Sequence, residues 1–155
     1  MSKIHGYILL RSDYFQAVEN IKDLGVDNSY PFINTNMFSF GDYEVPYYYD
    51  NIIFSFGATY KEFGFDIEDI NEFILKIEKI LRNINFEEAK FYCNGFYGDF
   101  ILYWISRRSF RGFKIDEIVP ENEYRKKLIQ TDSFYFEFKD NDNLKEFYNF
   151  KYPIE

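Results

Sequence analysis

Residues 66–84 read DIEDINEFILKIEKILRNI, and the spacing of their apolar side chains decides the fold. Ile67, Ile70, Phe73, Ile74, Ile77, Ile80, Leu81 and Ile84 recur with a period near 3.6, which predicts one continuous apolar stripe over about five helical turns. Asp66 offers an N-cap. Glu68 and Asp69 in the first turn and Lys79 and Arg82 in the last complement the helix dipole. A stripe of this width needs a sheet to cover it.

The flanking sequence supplies the strands. Upstream, Ile4 to Leu10 is an apolar run of strand length. Ser12-Asp13 then offers a cap ahead of Phe15, Val18, Ile21 and Leu24, with Gly25 placed to end that helix. Between residues 26 and 65 Asn, Pro and Gly punctuate short aromatic runs, and Phe38-Ser39-Phe40-Gly41 recurs as Phe54-Ser55-Phe56-Gly57. Alternation places Phe on one face and Ser on the other, so the copies read as two antiparallel strands joined through Tyr43 to Asn51. Downstream, Ala89 to Cys93, a turn at Asn94-Gly95-Phe96-Tyr97-Gly98, and Phe100 to Ser106 read as a hairpin. Phe113 to Val119 is a further strand candidate and Glu121 to Ile129 a short helix. Phe134, Phe136 and Phe138 alternate in another strand, and Leu144-Phe147-Tyr148 form a last amphipathic segment. The pattern predicts an α+β fold, a single domain over 1–155, with a mainly antiparallel sheet and two principal helices, about 12–24 and 66–84, packed on it.

Composition fits an ordered domain that needs no metal or disulfide. Of 155 residues 46% are hydrophobic, and 20 Phe and 15 Tyr make rings the main core material. One cysteine, Cys93, cannot form an internal disulfide. The opening residues lack a secretory signal, and the longest apolar run, Phe100 to Ile105, is far short of a membrane span. A cytoplasmic protein is expected, without membrane contact. Net charge is −8, and residues 1–99 carry 16 acidic against 8 basic groups. That balance disfavours nucleic acid and favours a cationic partner.

The chemistry-bearing residues are few. One His and one Cys, His5 and Cys93, cannot supply a zinc set. His5 reads as a strand-end histidine with a hydrogen-bonded ring, and Cys93 as a small buried hydrophobe. No nucleotide-binding glycine loop, metalloprotease or nucleophile-elbow motif is present, so no catalytic residue, metal or cofactor is assigned. Asp66, Glu68, Asp69 and Glu72 are accounted for by a capped, solvated helix start. The binding candidates are Tyr43, Glu44, Tyr47, Tyr48, Tyr49 and Asp50, where rings and carboxylates crowd a turn-rich connection. The basic run from Arg107 to Lys114 reads as a solvated hairpin turn.

In general character, small, acidic, rich in aromatics and without catalytic residues, the chain resembles the immunity proteins that bacteria encode beside polymorphic or contact-dependent toxins. The resemblance is one of type, covers no alignable motif and transfers no residue. It implies a non-enzymatic module that neutralises a basic toxin by direct binding. Two readings stand beside it: a small enzyme using a carboxylate pair on carbohydrate or nucleotide, and a structural or adaptor subunit whose rings form an oligomer interface.

Overall fold

The computed structural model describes residues 1–40, 52–107, 129–130, 133–140 and 143–153. The elements in chain order are β1 (Ser2–Leu10), α1 (Tyr14–Lys22), a 3-10 turn (Thr35–Met37), β2 (Phe38–Ser39), β3 (Ile53–Tyr60), α2 (Ile67–Leu81), β4 (Phe86–Asn94), β5 (Asp99–Ser106), β6 (Ile129–Gln130), β7 (Phe134–Asp140) and α3 (Leu144–Tyr148). The strands form one sheet in the order β2-β3-β1-β4-β5-β7-β6, every pairing antiparallel. The fold is α+β, as the sequence predicts.

Period-two alternation sorts the strand residues onto two faces. Ile4 and Ile8, Phe54 and Phe56, Phe91 and Cys93, Leu102 and Trp104, and Phe136 and Phe138 are buried on one face, in a cluster shared with Ala17 and Ile21 of α1 and Ile70, Phe73, Ile74 and Ile77 of α2. Phe73 is central, meeting Phe56, Phe63 and Phe91 edge to face at 5.7–6.0 Å. The repeated Phe-Ser-Phe segments pair as expected, Phe38 against Phe56 and Ser39 against Ser55. The chain does not simply zigzag: β1 lies in the middle, between β3 and β4. Its centre is tight at Gly6, where a Cβ would fall 2.1 Å from the Lys90 carbonyl oxygen.

A charged group enters the core beneath α2. Glu78 of α2 is 1% exposed and accepts the Trp104 indole N–H at 2.8 Å, while the Tyr152 hydroxyl donates to the same oxygen. Arg82 Nη2 stands 3.7 Å from the other oxygen. The chain's one tryptophan is thereby tied to the long helix.

Some local expectations need correction. α1 ends at Lys22 with Asp23 as C-cap, so Leu24 and Gly25 lie beyond it. Neither Asp13 nor Asp66 makes a side-chain cap bond. Asp13 is left-handed at φ 60°, unlike the extended backbone that directs a capping side chain at the first-turn N–H groups, and the Asp66 carbonyl accepts the Asp69 N–H instead. Phe113 to Val119 and nearly all of the expected helix 121–129 lie outside the described residues, but Ile129 is in a strand paired with Phe136.

Candidate binding surface

Tyr43, Glu44, Tyr47, Tyr48, Tyr49 and Asp50 all lie outside the described residues. Among the described ones, the densest exposed aromatic surface is at the end of the sheet where β4 turns into β5. Residues 95–98 close that turn, with the Gly95 N–H donating to the Gly98 carbonyl at 3.0 Å. A turn this tight cannot send Phe96 and Tyr97 back into the core. The Phe96 N–H ties the turn to the loop before α2 by donating to Phe63 O at 2.8 Å, and that loop is held in turn by the Tyr148 hydroxyl, which donates to Gly64 O at 2.5 Å, and by the Gly64 N–H, which donates to Asp69 Oδ2 at 3.2 Å. Gly64 has φ +87°, a conformation that favours glycine, and so swings Phe65 outward just before α2.

The result is a contiguous ring cluster. Phe65 meets Phe96 edge to face at 5.2 Å, Phe96 meets Tyr97 at 4.8 Å, and Tyr97 meets Phe147 of α3 at 4.8 Å. Their exposures are 51%, 47%, 44% and 61% for Phe65, Phe96, Tyr97 and Phe147. At about 200 Å² per residue the four leave roughly 400 Å² in water, the size of the largest apolar patch on an ordinary monomer, a patch that is often functional.

Carboxylates adjoin it. Phe65 also walls an open groove of about 570 Å³ with Tyr30 and Phe32, into which Glu62, Asp66 and Asp69 project beside a single cation, Lys61. Burial pushes the Asp69 carboxyl up, and the Asp66 and Glu68 charges add to this, against the N–H bond from Gly64. Tyr30 is raised to about 12, by burial first and then by Asp69 and Glu62. The groove is a region of negative potential.

The sheet face opposite the helices carries a second group of polar side chains. Antiparallel register lines up Tyr7, Lys90, Tyr103 and Glu137 in one row across β1, β4, β5 and β7, and His5, Tyr92, Ile101 and Lys139 in the next. Glu88 joins two strands by accepting the Tyr7 and Tyr103 hydroxyls, each at 2.9 Å. Tyr7 is raised to about 12 by burial and by that bond. Glu137 is only 7% exposed, and its Oε2 has no hydrogen-bond partner. His5 is corrected here: it lies mid-strand, exposed, with its ring stacked on Tyr92 at 5.2 Å. Cys93 is buried as expected, and burial pushes its thiol up.

Among the described residues no group of three His, Cys, Asp or Glu side chains is placed to hold a metal ion, and no helix is long and apolar enough to cross a membrane. Of the basic run, Arg107 is described and sits 5.9 Å over the Tyr135 ring. No protein-family model, curated protein or solved structure matches the chain.

The sequence carries only part of the signal for the ring cluster. Phe96 and Tyr97 between Gly95 and Gly98 are two large rings in a turn, and Phe65 follows a glycine. The convergence of residues 65, 96–97 and 147 depends on the tertiary fold.

Proposed function

We propose that this chain is a protein-binding module whose contact surface is the ring cluster Phe65, Phe96, Tyr97 and Phe147, and whose partner is a basic protein. One observation carries the reading: four half-exposed rings held in contact beside a groove that three carboxylates enter. Rings at the centre of an interface supply desolvated anchors with few rotamers to fix, while flanking charges steer association and oppose wrong partners. Cationic side chains suit this groove twice, through the carboxylates and through the faces of Tyr30, Phe32 and Phe65. Within that class, neutralisation of a basic toxin by an immunity protein fits best, since such a module needs a surface and no reaction centre.

The test begins with the partner recovered from the native host. Tyr97→Ala and Phe147→Ala should each weaken its binding, by about 2 kcal/mol for a central anchor, mainly through faster dissociation. Glu62→Gln with Asp66→Asn should mainly slow association and flatten its salt dependence. Melting temperatures should stay at the parent value. Binding that survives loss of the rings would overturn the proposal. So would a concentration-dependent dimer of the chain alone that Phe96→Ser abolishes, because the cluster would then be a homo-oligomer interface.

A further inference from the structure

We infer that the sheet face opposite the helices holds a second, independent site, for a small organic anion with an apolar, ring-sized body. Two hollows adjoin there and share Lys139. One, of about 250 Å³, is lined by Tyr7, Glu88, Lys90, Tyr103 and Lys139. The other, of about 440 Å³, has His5, Tyr92, Ile101 and Lys139 in its wall. Their joint size is that of a small-molecule site.

The donor and acceptor balance of these hollows gives the ligand's chemistry. Each carboxylate that lines them already accepts a bond from the protein: Glu88 from two tyrosine hydroxyls, Asp99 from Asn94 Nδ2 at 2.7 Å, and Asp140 from the Lys145 N–H at 2.9 Å. The two ammonium groups have no such match. Among the described residues neither Lys90 nor Lys139 has a carboxylate within ion-pair distance. Lys90 lies against ring faces instead, 5.3 Å from the centre of Tyr92 and 5.9 Å from that of Tyr103. Glu137 follows Tyr103 in the same row but lines neither hollow. Glu88 lines the smaller hollow with both lysines, but its oxygens are engaged by the tyrosine hydroxyls, and the two ammonium groups, without a carboxylate at ion-pair distance, present donors to an anionic acceptor.

The larger hollow adds an apolar, stiff stretch of wall beside its polar groups. Tyr92 stacks on His5, and Ile101 is its cross-strand neighbour. These side chains come from four hydrogen-bonded strands, so the register that makes the sheet also sets their spacing and little has to be ordered on binding. An anion between Lys90 and Lys139 would leave the body of the ligand against Tyr92 and Ile101.

Titration of the ¹⁵N-labelled protein with four probes tests this: phenyl phosphate and benzoate, which join a ring to an anion, inorganic phosphate, which is the anion alone, and benzyl alcohol, which is the ring alone. Phenyl phosphate or benzoate should shift the amides of His5, Lys90, Tyr92 and Lys139 saturably, and at lower concentration than either partial probe. Lys139→Gln, a substitution at an exposed position, should weaken that binding about tenfold, the effect of losing one charge-assisted hydrogen bond. Lys90→Gln should act in the same direction. The inference is overturned if no probe gives a saturable shift on this face, if Lys139→Gln binds like the parent, or if phosphate alone matches the ring-bearing anions.

Discussion

Replacing Glu78 with alanine tests the most unusual feature of the core, a carboxylate 1% exposed on the apolar side of α2. Three effects decide its size. Trp104 is fully buried, so its indole N–H would lose its acceptor with no water to replace it, at about 1–3 kcal/mol. Truncation leaves a cavity beside Trp104, for about 1–2 kcal/mol more. Against these, removing a buried charge returns part of its desolvation cost, and the Tyr152 hydroxyl, only partly buried, can turn to water. The net loss should be about 3 kcal/mol, a large share of the about 5–15 kcal/mol that holds a domain together. Urea unfolding followed by far-ultraviolet circular dichroism measures it, with fluorescence of the sole tryptophan as a local probe. Glu78→Gln keeps an acceptor and should lose much less. In a double-mutant cycle with Trp104→Phe, the two losses should be clearly non-additive, because each partner is costly chiefly while the other remains. A Glu78→Ala protein within about 1 kcal/mol of the parent, or strict additivity with Trp104→Phe, would show that this bond does not support the core.

Gly6→Ala should be far more damaging than its one methyl group suggests, about 3 kcal/mol or more, because the added atom meets the backbone of β4 at 2.1 Å and a strand must shift to admit it; a thermal midpoint near the parent's would contradict the tight β1–β4 approach. Asp69→Asn should stabilise the protein near neutral pH. The Asp69 carboxyl is raised on folding, chiefly by burial, so its favourable protonated form is present below the usual carboxylate range and is lost as pH rises through the raised value. The advantage of the variant should therefore shrink on acidification. A neutral-pH midpoint below the parent's, or a gap independent of pH, would refute this.

What could be read from the sequence, and what could not, follows from the range of the forces involved. The stripe from Ile67 to Ile84 and the Phe-Ser-Phe pairs are repeats whose period alone says which side faces inward, and burial of Phe54, Phe56, Ile70, Phe73 and Ile77 follows from it. Placement of β1 between β3 and β4 has no such local signature. It depends on pairings across the chain and on the absence of a side chain at Gly6 where β4 passes closest. Glu78 shows the same limit in a single residue. By residue type it belongs to the solvated side of α2, and its hydrogen-bond partners, Trp104 26 positions away in a strand and Tyr152 74 positions away, are supplied by the tertiary fold.

The candidate surface was legible only in fragments, for a related reason. Exposure of Phe96 and Tyr97 could have been argued from the two glycines of the turn, since a short turn sends its side chains outward. Nothing local connects them to Phe65 or Phe147. That link is made by the Phe96 N–H on Phe63 O and the Tyr148 hydroxyl on Gly64 O, contacts between segments more than thirty residues apart in the sequence. Those bonds also bear on the binding role proposed for the cluster. A ring cluster on separate flexible loops would have to be ordered at each encounter, at about 0.5–1.5 kcal/mol per side chain. Here the turn, the loop before α2 and α3 are already joined to one another, so the aromatic surface is set in place before any partner arrives, and more of its contact energy is left for binding.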